Sequence, residues 1–239
     1  MAKIPQVKEQ EKPKFESKVP VHKYNKVTPI GKNQIDYKRS LEENILTVVT
    51  APAGCGKTFL SCVYAAELLR DEIIERIVLV RPYVDLNNRG IGCLKGSEYE
   101  KLEPYVKPML EAIKYVVGPF QLQKYLEDGL IEVKALSSIR GMSYNNTFLI
   151  CDEMQGTVPN EIQALTTRIG KGSKMVIMGD TRQTDIKKTK ENGLQYLLRI
   201  IETHPIRSTG VVTMTIDDIQ RSGITKDFVL AYEKEGWEW

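Results

Sequence analysis

Cysteine and histidine are scarce in this chain. Its 239 residues hold four cysteines, Cys55, Cys62, Cys93 and Cys151, and two histidines, His22 and His204. No two cysteines form a C-x-x-C pair, which argues against a zinc site or a disulfide framework. Cys62 and Cys151 lie in apolar runs and read as small buried side chains, whereas Cys55 sits in a glycine-rich stretch, where oxidation is the less favoured of its readings. No apolar run approaches the roughly 18 residues of a membrane span. The N-terminal MAKIPQVKEQEKPKF has no apolar stretch of the kind a secretory leader needs. The expectation is a cytoplasmic protein without a membrane segment.

A strong charge of one sign is also missing, since the formal net charge is only +3. The basic character is local: residues 1–26 hold seven lysines against three glutamates, with Pro5, Pro13 and Pro20 among them. This segment reads as a flexible basic arm. It suits a polyphosphate backbone held without sequence reading, or it is a solvated tail. Residues 27–239 read as one domain.

What is present is alternation. Apolar, β-branched runs at 45–50, 76–82, 147–152, 174–180 and 211–216 are separated by helix-like segments at 58–73, 159–169 and 191–204. Near-continuous apolar strands joined by helical crossovers predict an α/β fold, a mostly parallel sheet covered on both faces. The stretch from about 83 to 140 is less regular and reads as a helical insertion ending in a strand-like IEVKAL.

Between the first strand and the first long helix lies APAGCGKT, Ala51 to Thr58. It fits the phosphate-loop pattern G-x-x-x-x-G-K-[ST] except at its first position, where Ala51 replaces glycine. In such a loop the backbone of Ala53, Gly54, Cys55, Gly56, Lys57, Thr58 and Phe59 cradles phosphates. Gly54 and Gly56 allow close approach, Lys57 reaches the β and γ phosphates, and the Thr58 hydroxyl binds Mg²⁺. TFLICDEMQ ends a strand in Asp152 and Glu153, at the edge where open α/β sheets bind ligands. Asp152 would hold Mg²⁺ through a bound water and Glu153 would polarise the attacking water. KMVIMGDTRQTD carries a strand out into Gly179, Asp180 and Gln183, whose amide could sense a γ-phosphate. A small-molecule kinase would need no such sensor. Gln34 and Tyr37 precede the first strand on a short helix, and a glutamine amide can both donate to and accept from an adenine edge. Arg221, in DDIQRSG, or Arg168, in TTRIG, could stabilise phosphoryl transfer, and either could instead form a structural ion pair.

In this order, NQIDY, PAGCGKT, VRP, GCLKGSEYEKLEPYVKPM, SSIRGMSYNNTFLICDEMQ, LTTRIGKGSKMVIMGDTRQTD, NGL and DDIQRSG resemble the PhoH family of phosphate-loop ATPases, which resembles the nucleotide-binding half of superfamily-one helicases. The resemblance covers about residues 28–235. It implies a three-layer, RecA-like P-loop NTPase that binds and hydrolyses ATP with Mg²⁺, with a suspected link to RNA or single-stranded DNA metabolism. Carried over by position, Lys57 and Thr58 belong to the phosphate loop, Asp152 and Glu153 to the metal and water site, Gln183 to the sensor and Gln34 to the adenine contact. Ala51, and DEMQ in place of the commoner DEAQ, depart from the family pattern. Related helicases close their site with a second domain, so a single domain implies a homo-oligomer, such as a hexameric ring. Arg81, Arg140 and the lysine arm are the candidate nucleic-acid contacts. The alternative is a slow ATP switch that regulates assembly or partner binding.

Overall fold

The computed structural model describes residues 25–82, 98–182 and 191–235. Within them the strands are β1 (Leu46–Thr50), β2 (Arg76–Arg81), β3 (Ile131–Ala135), β4 (Thr147–Cys151), β5 (Lys174–Gly179) and β6 (Thr209–Thr213). They form one sheet in the order β3-β2-β4-β5-β1-β6, and each neighbouring pair is parallel. The sheet is therefore parallel throughout, as the alternation predicts. In β1 and β4 each residue is buried, which is why they read as unbroken apolar runs. The edge strand β3 alternates buried and half-buried positions, and β6 is only half covered. The last strand starts earlier than the expected 211–216.

Alternation along each strand divides the core in two. Ile77 and Leu79 of β2 face the helices α1 (Lys32–Glu43), α2 (Lys57–Arg70), α3 (Glu98–Val117) and α4 (Pro119–Glu127). Val78 and Val80 face α5 (Pro159–Thr166) and α6 (Gly193–Thr203) on the other side. The result is three layers. A last helix, α7 (Gly223–Lys234), follows β6.

The irregular stretch holds two helices, α3 and α4, and then a strand. Pro104 and Pro108 lie inside α3, which runs through KLEPYVKPML without a break. Internal prolines normally interrupt a helix. Here a buried stripe of Leu102, Val106, Met109, Ile113 and Val116 packs α3 into the core and offsets that cost. The strand after α4 is β3, paired with β2 in the central sheet. Residues 83–97, in the first part of the expected insertion, lie outside the described residues.

Because all strands point one way, Thr50, Arg81, Cys151 and Gly179 end at the same edge. The segments that follow them meet there. This edge is where a doubly covered parallel sheet leaves a crevice.

Candidate nucleotide site

The loop after β1 is built on backbone geometry. Gly54 and Gly56 have φ of +91° and +83°, a region that favours glycine. Gly56 also caps α2, which starts at Lys57. Among the described residues, the N–H groups of Ala53 to Phe59 donate to no backbone or side-chain acceptor. A row of free N–H donors at a helix N-terminus is what an anion needs. Lys57 is 9% exposed, and its Nζ donates to its own loop, to the carbonyls of Ala51 at 3.3 Å and Pro52 at 3.4 Å. The loop therefore holds a buried ammonium group close to unpaired donors, and a polyphosphate fits it.

The acidic pair lies alongside. Asp152 is 2% exposed, and its Oδ2 accepts from the Thr58 hydroxyl at 3.0 Å. Burial pushes the Asp152 carboxyl above its ordinary range, while Arg81 pulls it down, Glu153 raises it, and Lys57 and the Thr58 bond lower it. Glu153 is half-buried and has left-handed backbone angles, φ 60° and ψ 36°. Outside glycine this region is thinly populated and commonly marks a functional constraint. A hydroxyl and a carboxylate 3.0 Å apart are hard oxygen donors suited to Mg²⁺, which takes one or two such groups and completes its shell with phosphate and water. Thr58 and Asp152 would hold it.

Gln155, only 7% exposed, was not singled out in the sequence. Its Nε2 donates to Glu153 Oε2 at 2.5 Å and its Oε1 accepts from the Asp180 N–H at 3.2 Å. One amide thus ties the end of β4 to the end of β5. Asp180 Oδ1 in turn accepts from Arg182 N and Nε, at 3.1 and 3.2 Å. Gln183 lies outside the described residues.

Gln34, on α1, is buried against the loop. Its Nε2 donates to the Cys55 carbonyl at 3.0 Å and its Oε1 accepts from Ile30 N at 2.8 Å. An adenine edge would have to displace one of these bonds. Tyr37 OH donates to the Lys57 carbonyl at 3.3 Å and is hydrogen-bonded to Ser61, bracing the first turn of α2. Cys55 is buried, its Sγ donates to the Thr215 carbonyl at 3.4 Å, and burial pushes its thiol up to about 11, so it is not a reactive thiolate. Phe59 turns away from the loop and its ring meets Tyr115 of α3, centroids 5.8 Å apart.

The structure separates the two candidate arginines. The Arg221 side chain lies across the loop, with its Cγ, Cδ and Nε 3.1 Å from the point where a Cβ on Gly54 would be, and Gln220 N donates to the Gly54 carbonyl at 3.0 Å. Arg168 instead bonds the carbonyls of Ala164 and Met142, at 3.0 and 3.2 Å. It sits beside Tyr144, ahead of β4, at the opposite edge of the sheet. Arg140 is exposed after β3. Arg81 faces inward: its Nη2 is 3.6 Å from Asp152 Oδ2, and its Nη1 is 3.5 Å from Glu153 Oε1.

The family profile described as PhoH-like protein matches residues 26–233. The chain belongs to the PhoH-like family. It is 32% identical over 201 residues to a PhoH-like protein of Synechocystis, a match covering 84% of this chain and 60% of the relative. With the PhoH-like protein of Bacillus subtilis it shares 32% identity over 202 residues, 84% of this chain and 62% of that one. This PhoH-like chain thus spans about three fifths of the length of these curated relatives. Among solved structures, the large terminase of a thermophilic bacteriophage has the same fold, with a TM-score of 0.52 at 12% identity over 84% of this chain and 50% of that chain. The likeness to the terminase is one of fold. No helix of the described residues is long and apolar enough to cross a membrane.

Proposed function

We propose that the chain is an Mg²⁺-dependent ATP hydrolase that couples turnover to binding or remodelling single-stranded RNA or DNA. The observation that supports this best is the bond from Thr58 to Asp152, 3.0 Å long, beside the buried Lys57. In this reading the Lys57 ammonium leaves its own loop carbonyls for β- and γ-phosphate oxygens, and the free N–H groups of the loop hold the rest. Thr58 and Asp152 would hold Mg²⁺, and the chemistry it would supply there is Lewis-acid withdrawal of charge from the phosphate oxygens. Glu153 orients the attacking water and takes its proton, Gln155 keeps Glu153 in place, and Arg221 stabilises the charge that builds up on transfer. Gln34 contacts the adenine and Gln183 the γ-phosphate. The ATPase domain spans 27–239, with an insertion at about 83–140. A neighbouring copy completes the site, giving a cytoplasmic homo-oligomer, and the basic arm and Arg140 meet the nucleic acid.

A second reading, a slow ATP switch for assembly, is favoured by the ion pair between Arg81 and Glu153, which engages the very carboxylate that would work on water. One assay separates the two: ATP hydrolysis with and without single-stranded RNA and DNA, for the wild type, Lys57→Ala and Glu153→Gln. A nucleic-acid motor is stimulated several-fold and loses at least about 100-fold in both variants. Equal, slow rates select the switch, and Lys57→Ala retaining binding and hydrolysis rejects the site. Light scattering with and without ATP tests the oligomer, against which a fully active monomer would count.

A further inference from the structure

Arg81 is the cation on the far side of the acidic pair. Since β4 lies between β2 and β5 in the sheet, Arg81 approaches Asp152 and Glu153 from one flank and Lys57 from the other. Its side chain is 15% exposed. Among the described residues, the guanidinium lies near Asp152 Oδ2 at 3.6 Å and Glu153 Oε1 at 3.5 Å, and its Nη2 donates to the Tyr105 carbonyl of α3 at 2.8 Å. Among the described residues its buried Nε has no hydrogen-bond partner. The carboxylate distances exceed the roughly 2.7–2.9 Å of a charge-assisted hydrogen bond. Arg81 is thus bonded firmly to α3 and only leans on the two carboxylates.

The Asp152 oxygen nearest Arg81 is also the one that accepts from Thr58. A divalent cation held by Thr58 and Asp152 would address the same oxygen and the same negative charge. Two positive groups sharing one carboxylate repel each other. Without a metal, Asp152 is a buried carboxylate that needs a counter-charge, and Arg81 is the nearest guanidinium to it.

We propose that Arg81 is a positioning residue that stands in for the metal: it neutralises Asp152 and holds Glu153 until Mg²⁺ and nucleotide arrive, and it yields the carboxylates when α3 shifts. This rests on the ATPase reading above. Because the guanidinium is bonded to α3, a ligand that moves α3 moves Arg81 with it, so α3 is the lever through which a partner raises a restrained basal rate.

The test uses the full chain as wild type, Arg81→Gln and Arg81→Lys. In thermal melting without nucleotide, Arg81→Gln is expected to melt about 3 °C or more below the wild type. Added Mg²⁺ recovers most of that loss and raises the wild type far less. In binding of a fluorescent ATP analogue at fixed concentration, half-saturating Mg²⁺ is expected to fall at least about threefold in Arg81→Gln. Basal hydrolysis rises about twofold or more. Arg81→Lys keeps the charge and is expected to melt like the wild type in the absence of metal.

A melting loss that Mg²⁺ does not recover, or an unchanged or higher Mg²⁺ requirement, would mean that Arg81 only packs the site and would overturn the proposal. So would Arg81→Lys melting like Arg81→Gln, because geometry rather than charge would then be what Arg81 supplies. Wild-type protein that fails to bind the analogue with Mg²⁺ would instead sink the ATPase reading, and the Mg²⁺ melting titration would still decide the part played by Arg81.

Discussion

Ala51 stands where the phosphate-loop pattern has glycine, yet it is not among the residues with positive φ, its N–H donates to the Gly179 carbonyl at 3.1 Å, and its methyl is buried in the core. The left-handed turns of the loop fall on Gly54 and Gly56, so position 51 does not require glycine. Ala51→Gly is expected to leave hydrolysis within a few-fold and to lower stability by about 1–2 kcal/mol, through a freer unfolded chain and a lost buried methyl. Urea denaturation beside an ATPase assay checks both halves. Gly179 is the opposite case. A Cβ there would come within 2.3 Å of Gln155 Oε1 and 2.8 Å of Leu194 Cδ2. Gly179→Ala should cost about 1–3 kcal/mol by overpacking. It should also slow hydrolysis more than it weakens ATP binding, because Gln155 is pushed off Glu153. Lys57, Thr58, Asp152 and Glu153 were legible in the sequence because each belongs to a local pattern whose chemistry is fixed by its neighbours in the chain. Gln155 and Arg81 were not, since their tasks depend on β4 lying between β2 and β5. The Q of DEMQ and the R of VRP, polar groups at the mouths of buried strands, are the signals by which they could have been found.

At the scale of elements, the central strands and α2, α5 and α6 followed from apolar patterning alone, whereas the course of α3 through Pro104 and Pro108 did not, because a packed stripe from the tertiary fold is what holds a helix there. Tertiary support also decides α1, the helix that carries Gln34 and Tyr37. Its last carbonyls are bound by a lysine from another element: Lys174 Nζ donates to Leu41, Glu42 and Asn44 carbonyls at 2.8, 2.9 and 2.7 Å. A cation at a helix C-terminus is favourable both for the helix dipole and for the otherwise unpaired carbonyls. In the sequence Lys174 is only the polar start of a strand, and nothing local announces the contact. Lys174→Met keeps the aliphatic stem and removes these bonds, so stability should fall by about 1–2 kcal/mol. Hydrogen exchange should show the loss concentrated in α1. Uniform faster exchange across the chain would contradict this account.

At the scale of the molecule, the parallel sheet sets one edge aside for ligands and makes nucleotide binding a folding term. A ligand that binds only the native state at 100 times its dissociation constant adds about 2.7 kcal/mol. For a domain of this size that is about 5–10 °C in melting temperature. Mg²⁺ with a non-hydrolysable ATP analogue should produce such a shift in the wild type, and Lys57→Ala should abolish it. This measurement separates the nucleotide site from the basic arm, which calls for its own test. Within the arm of residues 1–26, the first 24 residues hold six of its seven lysines and all three glutamates. If the arm grips a nucleic-acid backbone, deleting it removes between three and six phosphate contacts. At about 0.7 per contact for a single strand, the slope of log affinity against log salt should then flatten by about 2–4. Neither the nucleotide-induced melting shift nor hydrolysis without nucleic acid should change, because none of the groups proposed to work on the nucleotide belongs to the arm. An unchanged salt slope would make the arm a solvated tail and leave the exposed Arg140 side of that edge as the place to look for the strand.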